Sequence, residues 1–201
     1  MELVSKIIPC DIIISVDTQY HEVAQECYNI ASKYKKKILI NDVSCLKTDL
    51  KLADFIIENN LPVILMASKR IPGDLLRIDE IIMEFKKTIK ILKMKGYDET
   101  KIVLDPGIGH WIEEKTYKYD LKIINNLIKL KILNKPILIA ISRKSFIGTT
   151  LNIPEPENRL NGTLSATAIA VFNGAHIVRT HDVNEQLLEI VKMADEIRKN
   201  H

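Results

Sequence analysis

Two hydrophobic periodicities alternate along this 201-residue sequence, and their alternation constrains the fold more than any other feature. The first is a short, unbroken run of β-branched and other apolar residues. Such runs are typical of strands that are buried on both faces of a parallel sheet. We predict six strands, at 12–16, 38–40, 63–66, 101–104, 137–141 and 176–179.

The second periodicity lies between the strands, where apolar residues advance by three or four positions and so line one side of a helix. The clearest stripes are Val23, Cys27, Ile30, Ala31 and Tyr34; Ile78, Ile81, Ile82, Phe85, Ile89 and Leu92; Leu121, Ile124, Ile128 and Ile132; and Leu187, Ile190, Val191, Ala194 and Ile197. Strands alternating with helices predict right-handed βαβ crossovers and an α/β fold. Without a linker or low-complexity segment, the sequence predicts a single domain over 1–201.

Nearly every predicted strand is followed by a polar side chain. These residues are Asp17, Asn41, Asp42, Asp105, Ser142, Arg143, Lys144, Arg179 and His181. Functional groups contributed by several strands to one face are typical of the (β/α)₈ TIM barrel, whereas an open doubly wound sheet concentrates its site at one switch point. We therefore predict a TIM-barrel type of fold. Because a complete barrel has eight strands, six strands predict an incomplete barrel of about six β/α units.

Composition excludes several classes of protein. Charged residues make up 27% of the chain, the formal charge is only +3, and the lysines are scattered, so we expect no nucleic-acid partner. No apolar run approaches the roughly 20 residues that cross a bilayer, and 1–6 lack a secretory pattern. Three distant cysteines, Cys10, Cys27 and Cys45, predict neither a disulfide framework nor a zinc site. The sequence indicates a soluble protein of the reducing cytoplasm.

The acidic and amide residues at the strand ends have two interpretations. Asp17 or Asn41 alone can be the N-cap of the following helix, and Asp105-Pro106-Gly107-Ile108-Gly109 can be a tight turn. Converging at one barrel mouth, the same side chains suit the donor and acceptor edge of a fused pyrimidine ring. Carboxylates accept protons from ring and amino nitrogens, and the amide both donates and accepts.

The basic residues point to phosphate. Ser142-Arg143-Lys144 directly follows a buried strand, and Arg179-Thr180-His181-Asp182 ends the last one. Arginine offers a planar fork that fits phosphate, and phosphate sites recur near the last strands of barrels. We predict that Arg179 and His181 bind phosphate. Asp182 either orients His181 or caps the next helix, and we expect the cap.

Five segments resemble dihydropteroate synthase in their order and spacing. They are Ser-Val-Asp-Thr at 15–18, Ile-Asn-Asp at 40–42, Asp-Pro-Gly-Ile-Gly at 105–109, Ser-Arg-Lys-Ser-Phe-Ile-Gly at 142–148 and Arg-Thr-His-Asp-Val at 179–183. The resemblance covers essentially the whole chain, starting from the family's third strand. The sequence departs from the family pattern at two places. His110-Trp111-Ile112-Glu113-Glu114 stands where the family has Phe-Gly-Lys, and Met66-Ala67 stands where the family often has Met-His.

This resemblance implies a transferase that couples hydroxymethyl-dihydropterin diphosphate to an arylamine and releases diphosphate. The arylamine would be p-aminobenzoate in folate biosynthesis or a ribosylated aminobenzene in methanopterin biosynthesis. Resemblance also implies Mg²⁺ as cofactor and a possible homodimer formed through the late helices. It assigns Asp17, Asn41, Asp105 and Lys144 to the pterin, Arg179 and His181 to the diphosphate, Ser142 to the arylamine pocket, and Lys144, Arg179 and His181 to catalysis.

Two other functions remain open. One is a pterin-binding domain that passes methyl groups to a corrinoid partner, although 142–145 and 179–181 argue against it because a methyl donor carries no diphosphate. The other is a pterin-binding remnant without catalysis, which the absence of the family's first two β/α units favours.

Overall fold

Parallel strands alternate with helices along the computed structural model, which describes residues 1–9 and 11–200; Cys10 therefore lies outside the described residues. The strands are β1 (Ile14–Asp17), β2 (Ile38–Asp42), β3 (Val63–Met66), β4 (Ile102–Asp105), β5 (Leu138–Ile139) and β6 (Ile177–Val178). The α-helices are α1 (Glu2–Ile7), α2 (His21–Lys33), α3 (Leu50–Glu58), α4 (Ile78–Met94), α5 (Tyr117–Asn125), α6 (Ser145–Leu151), α7 (Leu160–Phe172) and α8 (Glu185–Lys199). Short 3₁₀ helices cover Glu99–Lys101, Leu127–Leu133 and Pro156–Arg159.

The six strands follow one another in chain order. β1 to β4 form one parallel sheet, and β5 pairs with β6 in parallel. A parallel bridge between Leu104 and Ile137 joins the two sheets, and the Leu104 N–H donates to the Pro136 carbonyl at 2.9 Å. Parallel strands connected through helices confirm the predicted α/β fold.

The inner strands form the centre of the core. Ile40, Leu65 and Leu104 are completely buried, and α4 adds the buried ring of Phe85. Burying one such side chain stabilises a fold by roughly 1.5–3 kcal/mol. The packed strands therefore provide a rigid base for the residues at their carboxyl ends.

The outer strands β1 and β6 are more exposed. Asp17 and Ser15 on β1 are exposed, and Ile177 on β6 is 39% exposed. Among the described residues, β1 pairs only with β2, and β6 pairs only with β5. The ring of strands is thus open between β6 and β1, as expected for about six β/α units.

Two of the predicted apolar stripes do not match the faces that the structure buries. The stripe from Leu121 to Ile132 is not one helix, because α5 ends at Asn125 and the 3₁₀ helix Leu127–Leu133 follows. With three residues per turn, that helix buries Leu127, Leu130 and Leu133 and leaves Ile128 and Ile132 exposed. In α2, Val23 is exposed, while Ala24 and Ala31 are buried.

No helix within 1–9 and 11–200 is both long enough and apolar enough to cross a lipid bilayer.

Candidate active site

The acidic and amide residues lie at the carboxyl edge of the sheet, where the parallel strands end. Asp17 ends β1 beside Asn41 in β2, and Asp105 ends β4 beside Met66 in β3. Asn41 and Asp105 are only 6% and 7% exposed. The strand register therefore brings the predicted pterin residues of β1, β2 and β4 to one edge.

Asp105 is a buried carboxyl group in a cationic environment. Its Oδ1 accepts a hydrogen bond from the Gly107 N–H at 2.8 Å. Burial raises its pKa, while that hydrogen bond and the positive charges of Lys144, Lys115 and Arg179 act in the opposite direction. Asp105 is thus a buried carboxyl group that is stabilised by a backbone N–H and by nearby positive charges.

Lys144 follows β5 and reaches back over the loop after β4. Its Nζ donates to the Ile108 carbonyl at 2.5 Å and lies 5.6 Å from the ring centre of Trp111. Burial lowers the pKa of this lysine, opposed by the charges of Asp105 and Asp120. Gly109 permits the approach, because a Cβ at this position, with φ +128°, would lie 3.1 Å from the Lys144 Nζ.

His181 is oriented by Ser142. The Nδ1 of His181 lies 2.9 Å from the Ser142 Oγ, which also accepts the backbone N–H of His181 at 3.3 Å. The serine hydroxyl can therefore donate to Nδ1, and the His181 Nε2–H is then a donor for an anion. This pairing joins the loops after β5 and β6.

The basic residues Lys144, Arg179 and His181 line one cavity of about 620 Å³. Its walls include Ser142, Lys144, Arg179 and His181 together with Gly109, His110, Trp111, Ala140, Ser145 and Thr180. Asp17, Asn41 and Asp105 lie outside this lining. Arg179 connects the two halves, since its Nη2 lies 3.1 Å from the Asp17 Oδ2.

The expectation that Asp182 caps α8 is wrong. Its carboxylate accepts two hydrogen bonds from Arg143, at 2.9 Å from Nε and 2.7 Å from Nη2, and this bonding lowers the pKa of Asp182. Asn184 caps the helix instead, because its Oδ1 accepts from the Leu187 N–H at 3.0 Å. The planar guanidinium of Arg143 makes this paired contact possible. Arg143 therefore ties the β5 loop to the β6 loop.

A buried ion pair below the site has no counterpart in the sequence-based prediction. Lys115 and Asp120 are 0% and 1% exposed, and 3.7 Å separates Nζ from Oδ1. Lys115 donates to the Gly107 carbonyl at 2.5 Å, and Asp120 accepts from the Gly109 N–H at 2.8 Å. Burial lowers the pKa of Lys115 and raises that of Asp120. The pair thus holds the loop after β4 in place. The sequence does not predict it, because a charged residue near the start of a helix is normally exposed.

Asp42 stabilises a turn and does not line the cavity. It is completely buried and accepts hydrogen bonds from the Ser44 N–H at 3.0 Å, the Ser44 hydroxyl at 2.8 Å and the Leu46 N–H. Burial raises its pKa. The carboxylate thus shapes the turn that follows Asn41.

Within the described part of the chain, no three histidine, cysteine, aspartate or glutamate residues cluster as the ligands of a fully protein-held metal ion would. Mg²⁺ usually takes only one or two carboxylates and completes its coordination with water and phosphate oxygens. The Asp17 carboxylate is paired with Arg179 of the cavity lining.

Comparisons with known proteins agree with this geometry. A family described as "Pterin binding enzyme" matches residues 1–181. A dihydropteroate synthase of Bacillus subtilis is 38% identical over 184 residues, which cover 90% of this chain and 60% of that protein. One of Clostridium beijerinckii is 35% identical and covers 96% of this chain and 72% of the relative.

Solved structures give the same result. The dihydropteroate synthase of Coxiella burnetii in complex with pteroic acid has a TM-score of 0.86 and 32% identity, covering all of this chain and 73% of that one. The enzyme of Xanthomonas albilineans in complex with 7,8-dihydropteroate has a TM-score of 0.78 and 26% identity, covering 93% and 67%. The agreement confirms the incomplete TIM-barrel fold.

The fold and its polar strand ends are those of a pterin-binding class of protein. Within that class, the chain belongs to the dihydropteroate synthase family. It spans only 60% of the length of its Bacillus subtilis relative.

Proposed function

We propose that this chain provides the pterin and diphosphate sites of a transferase that joins hydroxymethyl-dihydropterin diphosphate to an arylamine. One observation carries the proposal: Lys144, Arg179 and His181 share a cavity beside the buried carboxyl group of Asp105. The ring of a pterin needs acceptors along its amino edge, and its diphosphate needs cations. Both sets lie at the same end of the strands.

The proposed reaction uses no side chain as nucleophile. The arylamine nitrogen forms a bond to the pterin methylene carbon, the bond from that carbon to the diphosphate oxygen breaks, and the amine loses a proton to solvent. Arg179 and the Nε2–H of His181 stabilise the negative charge that builds on the departing diphosphate. Asp105, Asn41, Asp17 and Lys144 hold the ring so that the methylene carbon faces the amine.

Each proposed role has its own support. Ser142 lines the cavity and contacts His181, and we propose that it borders the arylamine, as the family resemblance implies. We propose that Mg²⁺ arrives as the counter-ion of the diphosphate, because Mg²⁺ is usually bound through substrate phosphates with few protein ligands. The relatives reported above are dihydropteroate synthases, which favours folate biosynthesis and p-aminobenzoate over the methanopterin variant. The reducing cytoplasm remains our predicted compartment.

The single domain over 1–201 is proposed as one half of a homodimer. A groove between α7 and α8 is almost wholly apolar and includes Ile169, Met193 and Ile197, which are 52%, 64% and 53% exposed. Covering such a surface with a second copy would remove apolar area from water. Light scattering on the wild type and on Met193→Glu tests this proposal, since the variant should be monomeric.

Mass spectrometry of the reaction mixture tests the proposed chemistry. The chain is incubated with hydroxymethyl-dihydropterin diphosphate, Mg²⁺ and p-aminobenzoate, and dihydropteroate and free diphosphate should form in equal amounts. The opening between β6 and β1 favours a second candidate, a pterin-binding protein without turnover. Saturable pterin binding with no product would establish that alternative, and no pterin binding would refute both.

A further inference from the structure

Arg143 stands between two residues of the cavity wall without lining the cavity itself. Ser142 precedes it and Lys144 follows it, and both belong to the lining. The backbone of Arg143 has φ +57°, in the left-handed region that residues other than glycine rarely adopt. Such a conformation persists only where the surrounding structure enforces it, and it occurs often at functional sites.

The backbone of Arg143 is held on both sides by side chains. Its N–H donates to the Thr163 Oγ1 at 2.9 Å, and its carbonyl accepts from the Arg159 Nη1 at 2.9 Å. Thr163 lies in α7 and is 1% exposed. Gly148 in α6 leaves room for Arg159, because a Cβ at that position would stand 2.6 Å from the arginine Nε. Elements that follow Arg143 in the chain thus fix its left-handed conformation.

The guanidinium of Arg143 crosses to the loop after β6. It donates to the carboxylate of Asp182 twice, and the two side chains are only 26% and 21% exposed. Directly beside this pair, the Ser142 Oγ lies 2.9 Å from the His181 Nδ1. Two consecutive residues of the loop after β5 therefore pair with two consecutive residues of the loop after β6.

We infer that Arg143 is a positioning residue that, through Asp182, sets the spacing between Lys144 and His181. The inference rests on the proposed function, in which Lys144 holds the pterin and His181 the diphosphate of one substrate. These two residues line the same cavity but come from loops after different strands. A link that fixes the loops favours a ligand that spans both residues, because less freedom is lost on binding.

This role predicts that the intact substrate is affected more than its separate halves. Each half-site keeps its own residues when the link is broken, but the two half-sites no longer have the spacing of one molecule. The affinity that comes from joining the halves depends on that spacing. A residue that merely stabilises the fold would affect all three ligands equally.

Calorimetry with the intact substrate and with its halves tests the inference. The ligands are hydroxymethyl-dihydropterin diphosphate, hydroxymethyl-pterin and inorganic diphosphate. Asp182→Ala removes the partner of Arg143, so it should raise the Kd of the pterin diphosphate by about tenfold or more. It should not weaken either half by more than about threefold. A change of charge alone would have the opposite sign, because loss of a carboxylate favours binding of an anion.

Further variants separate the link from the charges. Arg143→Gln should show the same selective loss, and Arg143→Gln with Asp182→Ala should lose no more than either single variant, because both break one link. Arg143→Lys keeps the positive charge without the planar fork and should still weaken the pterin diphosphate by about threefold or more. This variant supplies the test if Asp182→Ala does not fold.

Arg198→Gln is the matched control. Arg198 also pairs with an aspartate, Asp195, and donates to the carbonyls of Val171 and Ala175, but it lies at the amino end of β6. The side chains of this pair are 26% and 27% exposed, much like those of Arg143 and Asp182. Arg198→Gln should lower the stability in urea unfolding without changing any of the three Kd values by more than about threefold.

Two results would overturn the inference while the proposed function stands. One is an unchanged or lower Kd of the pterin diphosphate in Asp182→Ala and in Arg143→Lys. The other is an equal loss of affinity for all three ligands, which would show a general disturbance of the fold. A wild-type chain that binds no pterin diphosphate would instead refute the proposed function, and this inference with it.

Discussion

Arg179 and Asp17 form an ion pair between the last and the first strand of the chain, with 3.1 Å between the Nη2 and the Oδ2. One partner is proposed for the diphosphate and the other for the pterin. The two groups thus satisfy each other across the open side of the ring. Under the proposed assignments, substrate binding exchanges this contact for contacts with the ligand.

This ion pair predicts opposite effects for the two halves of the substrate. Asp17→Asn removes the competing charge from Arg179, so inorganic diphosphate should bind more tightly, by up to about fivefold for an exposed pair. The same variant should weaken hydroxymethyl-pterin, because it removes a ring acceptor. Calorimetry with each ligand separately measures both effects. If both affinities shift in the same direction, ligand binding does not compete with the contact between Arg179 and Asp17.

Asp105 predicts a conflict between stability and binding. Burial raises its pKa in the folded state, so the folded protein holds this proton more tightly than the unfolded chain does. The contribution of Asp105 to stability is therefore fully present below the unfolded pKa of about 3.9 and is lost as pH rises towards the higher folded value. Asp105→Asn should raise the stability at pH 7 and weaken pterin binding.

Urea unfolding between pH 4 and 7 checks the Asp105 prediction against the wild type. The difference between Asp105→Asn and wild type should grow as pH rises through that window. Asp98→Asn is a suitable control, because the Thr100 hydroxyl lowers the pKa of this exposed carboxyl group. Its contribution to stability is lost only as pH falls below about 4, so the difference from wild type should stay nearly constant between pH 4 and 7. A loss of stability in Asp105→Asn at pH 7 would show that the ionised group is well compensated.

The pair of Lys115 and Asp120 predicts a large effect from a residue outside the cavity. Replacing one partner leaves the other charge buried and uncompensated, which costs about 3–5 kcal/mol in comparable sites. Lys115→Met should therefore destabilise the fold strongly, and Lys115→Met with Asp120→Leu should lose less than the sum of the two single variants. Denaturant unfolding of all three variants tests this, and additive losses would contradict the coupling.

Gly109 predicts a local effect on Lys144. Gly109→Ala forces a side chain into φ +128° and places a methyl group about 3.1 Å from the Nζ. The lysine should shift, and pterin affinity should fall while the overall fold is kept. Gly96→Ala is the matched control, because Gly96 also has positive φ, at +80°, but has open space around its Cβ position. Equal pterin affinity in the two variants would show that Lys144 is not displaced.

The elements that the sequence predicts best are those with strong, regular burial. All six strands are found because each is a short apolar run, and α4 is found because its apolar residues follow the helical period over about four turns. The stripe at 121–132 is misread because a 3₁₀ helix changes the period from 3.6 to 3 residues per turn. Periodicity alone does not reveal that change.

The site residues that the sequence predicts are those at strand ends, whereas contacts between loops are not predicted. Residues such as Asp17, Asp105 and Arg179 follow directly from strands, so the carboxyl edge of a parallel sheet brings them together. The pairs Arg143–Asp182 and Lys115–Asp120 depend on how loops fold against each other. Asp182 has the position of a helix cap in the sequence, but the guanidinium of Arg143 offers it two hydrogen bonds. Such contacts between loops have no local pattern in the sequence.

The central claim is that one site binds the pterin ring and its diphosphate through different residues. Its most direct test is calorimetry of the wild type, Asp105→Ala and Arg179→Ala with hydroxymethyl-pterin and with its diphosphate. Arg179→Ala should weaken only the diphosphate form, by about 1.5–3 kcal/mol for a lost charged hydrogen bond, and Asp105→Ala should abolish binding of both forms. Equal losses for the two ligands in Arg179→Ala, or normal binding in Asp105→Ala, would contradict the account.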